Sequence, residues 1–180
     1  MKNRIGIILG STREGRVNPQ VGKWVKEEAD KRGFAEYEVV DIKDFNLPFL
    51  GTTDDTTALD AWNEKLNTFE GFIFIVCEYN HGMSGALKNA IDSAKEPWHN
   101  KAAAIVSYGS GYGIRAQETL RLVLSELQVA HVRTPVQLSL FMDFENFTKF
   151  KPQDIHQDNL DDMLKQLDQW TNAMNTVRKS

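Results

Sequence analysis

Three short segments combine hydroxyl, amide, guanidinium and glycine residues, which are groups that bind phosphates and flat ligands. They are GSTREGRVN at Gly10 to Asn18, EYNHG at Glu78 to Gly82, and SYGSGYG at Ser107 to Gly113. Each follows a short apolar run rich in β-branched or small residues, as expected of a strand buried on both faces. Because ligands of open α/β sheets lie outside the carboxyl ends of strands, the three segments predict one shared site.

The first segment has the chemistry of an anion site. It precedes Pro19, which suits the first turn of a helix, so free backbone N–H groups and the helix dipole favour an anion there. Hydroxyls of Ser11 and Thr12, the guanidinium of Arg13 and the amide of Asn18 would complete a phosphate nest. The segment matches neither G-x-x-x-x-G-K-[ST] nor G-x-G-x-x-G. A monophosphate site is therefore predicted, and an ordinary solvated loop is the alternative.

The other two segments lack a recognisable catalytic arrangement. Glu78–Asn80 has no second carboxylate nearby in sequence, so a polar turn is the alternative to a ligand site. His81 is more typical of a loop than of a metal ligand, since the four histidines form no H-E-x-x-H pattern. Cys77 is interpreted as a small core residue. Glycines spaced two apart in Ser107–Gly113 let the backbone approach a flat ligand, or simply form a tight turn.

Strands that alternate with helices must position these segments. The predicted strands are 4–10, 37–42, 72–76, 102–107 and 132–140, the last interrupted by Pro135. Predicted helices begin at Pro19 with Asn18 as the cap, cover 57–68 and 86–94, include Leu120 to Leu127, and close the chain around 160–174. This order predicts a doubly wound parallel sheet of five strands with helices on both faces. Arg115 and Arg121 are expected to be solvated or at an interface.

Composition narrows the class of protein. The 180 residues suit one domain, 1–180, and the net charge of −4 with scattered basic residues disfavours nucleic acid. No apolar run approaches the length of a membrane span, and the amino terminus shows no signal-peptide pattern, so a cytoplasmic protein is expected. A single cysteine excludes an internal disulfide and multi-cysteine metal sites, and no metal is expected.

Taken together, the three segments resemble the NADPH-dependent FMN reductase family, which includes quinone, chromate and azo-dye reductases. The resemblance covers residues 4 to about 140, and its most specific part is EYNHGMSGALKNAID at Glu78 to Asp92. It implies a flavodoxin-like fold, non-covalently bound FMN, NADPH or NADH as electron donor, and homodimers or homotetramers. The family commonly has proline where this chain has Cys77.

The resemblance also implies roles for individual residues. Ser11, Arg13 and Asn18 would hold the FMN phosphate, with backbone from Thr12 to Val17, Arg16 included. The flavin ring would be lined by two further groups. These are Glu78, Tyr79, Asn80, His81 and Gly82 on one side, and Ser107, Tyr108, Gly109, Gly111 and Gly113 on the other. No catalytic acid or base is named, because FMN carries the chemistry.

The implied activity is an NAD(P)H oxidoreductase that passes two electrons by a ping-pong mechanism to a quinone, azo compound, flavin or similar small acceptor. The alternatives are a flavodoxin-type single-electron carrier and a flavin-free homologue. Phe141–Phe147 is too apolar for a free loop. We expect it to pack at a homo-oligomer interface near the flavin, or else to cover the core of its own domain.

Overall fold

A parallel sheet with helices on both faces forms the framework of the computed structural model, which describes residues 2–180. The strands are β1 Arg4–Leu9, β2 Glu36–Asp41, β3 Gly71–Cys77, β4 Ala102–Gly109, β5 Ala130–His131, β6 Val136–Ser139, β7 Phe144–Glu145 and β8 Lys149–Phe150. The helices are α1 Asn18–Arg32, α2 Thr57–Asn67, α3 Gly85–Asp92, α4 Ile114–Glu126 and α5 His156–Lys179, with 3₁₀ turns at Ile42–Phe45 and Glu96–Trp98.

The strand order brings the three polar segments to one edge. It runs β2-β1-β3-β4, and β5 and β6 both pair with β4 on its outer side. All these pairings are parallel. The segments after β1, β3 and β4 therefore meet at the carboxyl edge, beside the point where the order reverses between β1 and β3. This confirms the predicted doubly wound architecture.

Side chains that alternate in direction along the buried strands form two hydrophobic cores, one on each face of the sheet. Ile73, Ile75 and Cys77 of β3 pack on the face covered by α1 and α5, whereas Phe72 and Phe74 pack on the face covered by α2, α3 and α4. Successive side chains of a strand point to opposite faces, so a strand buried on both faces needs an uninterrupted apolar run. Cys77 is a free, buried residue of the first core, as its position in the run predicts.

The fifth strand is discontinuous, as the predicted interruption at Pro135 requires, although its first part is Ala130–His131 and does not begin at Val132. Its two parts pair with opposite ends of β4, and Pro135 lies in the gap, where proline cannot donate to a ladder. Arg121 fills that gap: its guanidinium donates to the carbonyls of Val132 at 2.8 Å and Arg133 at 3.1 Å. Arg121 is thus a structural residue that satisfies an interrupted edge, and not a solvated one.

The start of α1 also differs from expectation. Val17 occupies the cap position without a side-chain hydrogen bond, so the prediction that Asn18 caps the helix is wrong. The Asn18 side chain is fully buried and points into the sheet, because its amide donates to the Ile75 carbonyl at 3.2 Å. The predicted stop is confirmed: Gly33 ends the helix with a left-handed φ of 66°.

The apolar segment Phe141–Phe147 divides between two environments. Phe144 is buried and its ring lies 5.8 Å from that of Tyr108, so this part covers the chain's own core. Phe141, Met142 and Phe147 are exposed. β7 and β8 form an antiparallel hairpin that the sequence pattern did not predict. Across residues 2–180, no helix is long and apolar enough to cross a membrane.

Candidate functional site

The loop after β1, Gly10–Val17, is anchored at its start and open beyond it; we call it the phosphate loop. The Gly10 N–H donates to the Ile75 carbonyl at 3.0 Å. A Cβ at Gly10 would lie 2.8 Å from that carbonyl oxygen, so glycine is required for this close approach. Within residues 2–180, the N–H groups of Thr12, Arg13 and Gly15 donate to no backbone acceptor. Arg13 forms no ion pair in the same part of the chain, and its guanidinium lies 6.0 Å from the Tyr79 ring centroid.

Asn18 joins the phosphate loop to two central strands. Besides its bond to β3, its amide donates to the Tyr108 hydroxyl of β4 at 3.2 Å. Its Oδ1 atom is buried without a partner among the described residues. A buried amide oxygen of this kind accepts from a ligand hydroxyl or an ordered water. Asn18 therefore braces the loop and still offers one unsatisfied acceptor.

Arg16 is committed to the protein framework. Its guanidinium forms a two-pronged pair with the Asp41 carboxylate at the end of β2, with an Nη1–Oδ1 distance of 2.9 Å, and it also donates to the Ser11 carbonyl. Both side chains of the pair are mostly buried, which strengthens it relative to a surface pair. The charge of Arg16 is thus balanced by Asp41, while that of Arg13 is not.

The turn after β3, Tyr79–Gly82, is closed by its own backbone. The N–H of Tyr79 and that of Gly82 each donate to the other's carbonyl at 2.9 Å. Asn80 and His81 between them have φ of 47° and 66°, the two left-handed residues of a type I′ turn. A histidine at positive φ is uncommon, and such residues concentrate at functional sites. The N–H groups of Asn80 and His81 donate to no backbone acceptor in residues 2–180, so they remain for a ligand.

Glu78 locks this turn to the next one. Its carboxylate accepts from the backbone N–H of Arg115 at 3.0 Å and of Ala116 at 3.4 Å, so it caps α4 from another segment of the chain. Helix α4 has no cap of its own, since Gly113 stands at the cap position. The Arg115 guanidinium adds an ion pair with Glu78 at 3.0 Å, so Arg115 is not simply solvated. The Glu78 side chain is occupied by these bonds, and its backbone N–H donates to the Tyr108 carbonyl at 3.0 Å, so both its carboxylate and its N–H are used within the chain.

The glycine loop after β4, Gly109–Gly113, folds tightly over its own strand. Ser107 donates its hydroxyl to the Tyr112 carbonyl at 2.8 Å, and Tyr112 has a left-handed φ of 62°. Gly113 also has positive φ, and a Cβ there would lie 2.8 Å from the Tyr108 nitrogen. The loop therefore presents its backbone at the partly exposed Gly111, as expected of a contact with a flat ligand, whereas Gly109 is buried at the end of β4.

Ser84 is a site residue that the sequence interpretation missed. Its hydroxyl donates to the Gly10 carbonyl at 2.6 Å and accepts from the Leu87 N–H at 3.0 Å, so it caps α3 and ties that helix to the phosphate loop. A serine directly before the apolar stripe of α3 is a cap signal that could have identified it. Asn89 was also missed: its side chain fixes the segment after β2 through Pro48 and Leu50.

Three ionisable groups lie in the site: Cys77 and Tyr108 are buried, whereas Tyr79 is partly exposed. Burial raises the pKa of the Cys77 thiol, which excludes a reactive thiolate at neutral pH. Burial also raises the pKa of the Tyr79 and Tyr108 hydroxyls. The site therefore presents neutral hydroxyl and thiol groups, and Arg13 supplies its uncompensated charge.

Two cavities flank the phosphate loop. The Arg13 cavity, about 110 Å³, is lined by Arg13, Val17, Cys77, Glu78, Tyr79, Tyr108, Gly109, Leu140 and Phe147. The Lys43 cavity, about 500 Å³, is lined by Thr12, Ile42, Lys43, Asn46, Leu47, Phe49, Gly85, Ala86 and Asn89. Both open at the carboxyl edge. The structure thus brings the three predicted segments together and adds a fourth, the connection after β2.

Comparison with known proteins agrees with this geometry. The family model described as NADPH-dependent FMN reductase matches residues 3–142, which contain all three loops. The chain belongs to that family. This reductase is 32% identical over 151 residues to an NAD(P)H-dependent FMN reductase of Schizosaccharomyces pombe, covering 78% of this chain and 74% of that protein. It is 34% identical over 142 residues to an NAD(P)H:quinone oxidoreductase of Solanum tuberosum, and the match covers 73% of this chain and 72% of that protein.

Solved structures share the fold. The flavoenzyme NAD(P)H:(acceptor) oxidoreductase FerB of Paracoccus denitrificans superposes with a TM-score of 0.74 at 19% identity, covering 93% of this chain and 98% of that one. At this level of identity the likeness concerns the flavodoxin-like fold alone. Family membership makes this reductase an oxidoreductase that uses FMN with NAD(P)H as electron donor.

The residues present fit FMN. The phosphate loop offers unpartnered N–H groups and an uncompensated Arg13, which suit a single phosphate. The orphaned Oδ1 of Asn18 would accept from a hydroxyl, and the sugar-alcohol chain of FMN carries several. The free N–H groups of Asn80 and His81 would donate to acceptor atoms of a flavin ring.

Proposed function

We propose that this reductase passes two electrons from NADPH or NADH to a quinone, azo compound, free flavin or similar small acceptor, by a ping-pong mechanism. The observation that carries this proposal is that contacts within the chain fix three loops on one sheet edge. Within residues 2–180 these loops nevertheless leave N–H groups without a backbone acceptor and Arg13 without an ion-pair partner. FMN, once bound, would supply the two-electron redox chemistry between the nicotinamide and the acceptor.

The protein's part is binding and orientation. Ser11, Arg13 and the loop N–H groups hold the phosphate, while Asn18 fixes the loop against β3 and β4. The backbone from Glu78 to Gly82 and from Gly109 to Gly113 lines the ring. N–H donors of Asn80 and His81 are fixed before any ligand arrives, so they stabilise added negative charge without reorganisation. Neither the donor nor the acceptor requires a protein acid or base in this scheme.

Steady-state kinetics test the mechanism. Donor and acceptor would occupy the same exposed face in turn, so double-reciprocal plots should be parallel for both NADPH and NADH. Intersecting plots would refute the ping-pong order, and absence of NAD(P)H oxidation by FMN-loaded protein would refute the activity itself. A panel of quinones, azo dyes and free flavins would then identify the acceptor class.

The quinone class has additional support. Proteins similar to this chain include the potato NAD(P)H:quinone oxidoreductase and, at 28% identity over 145 residues, a 2-hydroxy-1,4-benzoquinone reductase of a Burkholderia species. The rim of the site is also apolar, which suits a flat, uncharged acceptor. A single-electron carrier is disfavoured because family membership shows an enzyme.

Assembly as a homodimer or homotetramer belongs to the same proposal. Most exposed large apolar side chains lie in segments at the carboxyl edge: Phe49, Leu50, Tyr79, Tyr112, Ile114, Phe141, Met142, Phe147 and Ile155. An apolar rim of this kind is typical of an interface. Light scattering at micromolar concentration should give at least a dimer mass, and a monomer would contradict the proposal. Cytoplasmic location stays a prediction, which cell fractionation checks.

A further inference from the structure

The Lys43 cavity is the larger of the two cavities beside the phosphate loop, and no residue proposed above as an FMN contact lines it except Thr12. Its walls come from three segments: the phosphate loop, the connection after β2 from Ile42 to Phe49, and the first turns of α3. The cavity, at about 500 Å³, has the size of a small-molecule site and mixes apolar walls with a few polar groups.

The walls of this cavity are held in place by the chain itself. Asn89 accepts from the Leu50 N–H at 3.0 Å and donates to the Pro48 carbonyl at 2.8 Å, so it clamps the segment that carries Phe49. Asp41 accepts from the Lys43 N–H at 3.0 Å and fixes the beginning of the 3₁₀ turn. The Phe49 ring is nonetheless 72% exposed. A clamped segment thus presents a largely exposed aromatic side chain at the wall of the cavity.

The charge of Lys43 makes the cavity selective for an anionic ligand. Lys43 is the cation that lines it, and the partner of its ammonium is Glu14, 2.5 Å away and 91% exposed. The nearby Arg16 is balanced by Asp41, and the remaining neighbouring carboxylate is the exposed Asp44. A phosphate carries more charge than one carboxylate and several acceptor oxygens, so it would displace Glu14 from Lys43. An aromatic face beside a displaceable cation suits an aromatic base that carries a phosphate.

The position of the Lys43 cavity beside the Arg13 cavity indicates which ligand it binds. Thr12 lines the Lys43 cavity and Arg13 lines the Arg13 cavity, so the phosphate loop contributes a wall to each of them. We propose that the Lys43 cavity binds the adenosine end of the electron donor, with Phe49 stacking on adenine and Lys43 binding the 2′-phosphate that distinguishes NADPH from NADH. This inference rests on the proposed function, and it makes NADPH the preferred donor.

Binding of adenosine fragments to FMN-loaded protein tests the site without turnover. Calorimetry with adenosine 2′,5′-bisphosphate should show binding about tenfold weaker in Lys43→Ala, because a charge-assisted bond is lost. Adenosine 5′-monophosphate should bind the variant and the wild type equally. Phe49→Ala should weaken both fragments about tenfold, the scale of one lost base–aromatic stack. Glu14→Gln should strengthen binding of the bisphosphate, since it removes the competing carboxylate.

Steady-state kinetics should separate the contact of Lys43 from that of Phe49 in the same way. Lys43→Ala should raise KM for NADPH and leave KM for NADH unchanged, whereas Phe49→Ala should raise both. Lys88→Ala is the matched charge control, because Lys88 is 46% exposed against 44% for Lys43 and also has one carboxylate partner. Leu50→Ala is the matched apolar control, since Leu50 is the exposed neighbour of Phe49 and does not line the cavity.

Several results would overturn the site. If Lys43→Ala raised KM equally for NADPH and NADH, Lys43 would not bind the 2′-phosphate. If Phe49→Ala left fragment binding unchanged, Phe49 would not stack on adenine. A lower assembly mass of Phe49→Ala by light scattering would assign this face to a second copy of the chain. Failure of the proposed function is distinguishable, because wild-type protein would then oxidise neither donor whatever its affinity for the fragments.

Discussion

The three loops of the site and the β7–β8 hairpin beside them solve different physical problems. Glu78, Ser84 and Asn18 each bond to a segment remote in sequence, so the loops are fixed to one another by polar contacts. The hairpin is attached by Gln20, which bonds to Thr148 and Phe150, and it ends in the exposed Phe147 with a left-handed φ of 58°. The loops therefore carry a preformed polar framework, and the hairpin carries an apolar wall.

This division agrees with the extent of the family match. The loops lie within residues 3–142, and the hairpin follows directly after that range. Phe147 and Leu140 nevertheless line the Arg13 cavity together with the phosphate loop. The framework is thus shared with the family model, while part of the wall comes from residues beyond it. Four pairs of substitutions, from the largest expected effect to the smallest, test whether the polar framework and the apolar wall are independent of each other.

Removal of the Asn18 side chain should have the largest effect on the framework. Asn18→Ala leaves the buried Ile75 carbonyl without its side-chain donor, and we expect the free energy of unfolding to fall by about 2–3 kcal/mol. Tyr108→Phe removes only the hydroxyl partner, so it should cost about 1 kcal/mol. Urea denaturation measures both. Equal losses in the two variants would show that the bond to β3 contributes little.

Arg13 and Arg16 should separate ligand binding from stability. Arg13→Ala should weaken FMN binding by about 1 to 3 kcal/mol and leave the stability of FMN-free protein unchanged, because Arg13 has no ion-pair partner among residues 2–180. Arg16→Ala should lower the stability of FMN-free protein by about 1–2 kcal/mol, since it strands a mostly buried Asp41. Fluorescence titration with FMN and urea denaturation give the two quantities. If Arg13→Ala lowered the stability of FMN-free protein and Arg16→Ala weakened FMN binding, the roles of the two arginines would be reversed.

Glu78 should matter through the backbone of α4 more than through its ion pair. Glu78→Ala uncaps that helix, and we expect a loss of about 1–2 kcal/mol in the free energy of unfolding. Arg115→Ala removes only the half-exposed ion-pair partner and should change it by less than about 0.5 kcal/mol. Denaturation curves of both variants decide the matter. A larger loss in Arg115→Ala would make the ion pair the principal contact.

Substitution of Phe147 in the apolar wall should change the free energy of unfolding least, and should raise it where the other substitutions lower it. Phe147→Gly relieves a left-handed φ that glycine adopts freely, so stability should rise by up to about 1 kcal/mol. Phe141 is similarly exposed without a positive φ, and Phe141→Gly should lower stability slightly. Thermal unfolding of the two variants provides the comparison. A clear loss in Phe147→Gly would show that its ring packs more tightly than its exposure indicates.

Sequence alone predicted the fold because its signals are local. The apolar run of β3 and the proline at the start of α1 each act within a few residues. The three loops were predicted as well, since carboxyl ends of parallel strands must meet. Glu78 illustrates the limit: its type and place suggested a ligand contact, yet its carboxylate caps a helix that begins 36 residues later. The sequence pattern does not specify a partner at that separation.

The same limit applies to the fourth segment of the site. Lys43 and Phe49 lie in a connection without regular elements, and their neighbours Thr12 and Asn89 come from other loops. Their approach depends on the sheet order, which places the end of β2 beside that of β1. Only the assembled edge shows them as walls of one cavity.

The gap in the outer strand affects how this chain meets other chains. An exposed strand edge presents unpaired N–H and C=O groups and is a template for aggregation. Here the strand is interrupted at Pro135, and the Arg121 guanidinium bonds to the carbonyls of Val132 and Arg133 inside the gap. Copies of this chain should therefore associate through loops and helices and not through this short, interrupted edge.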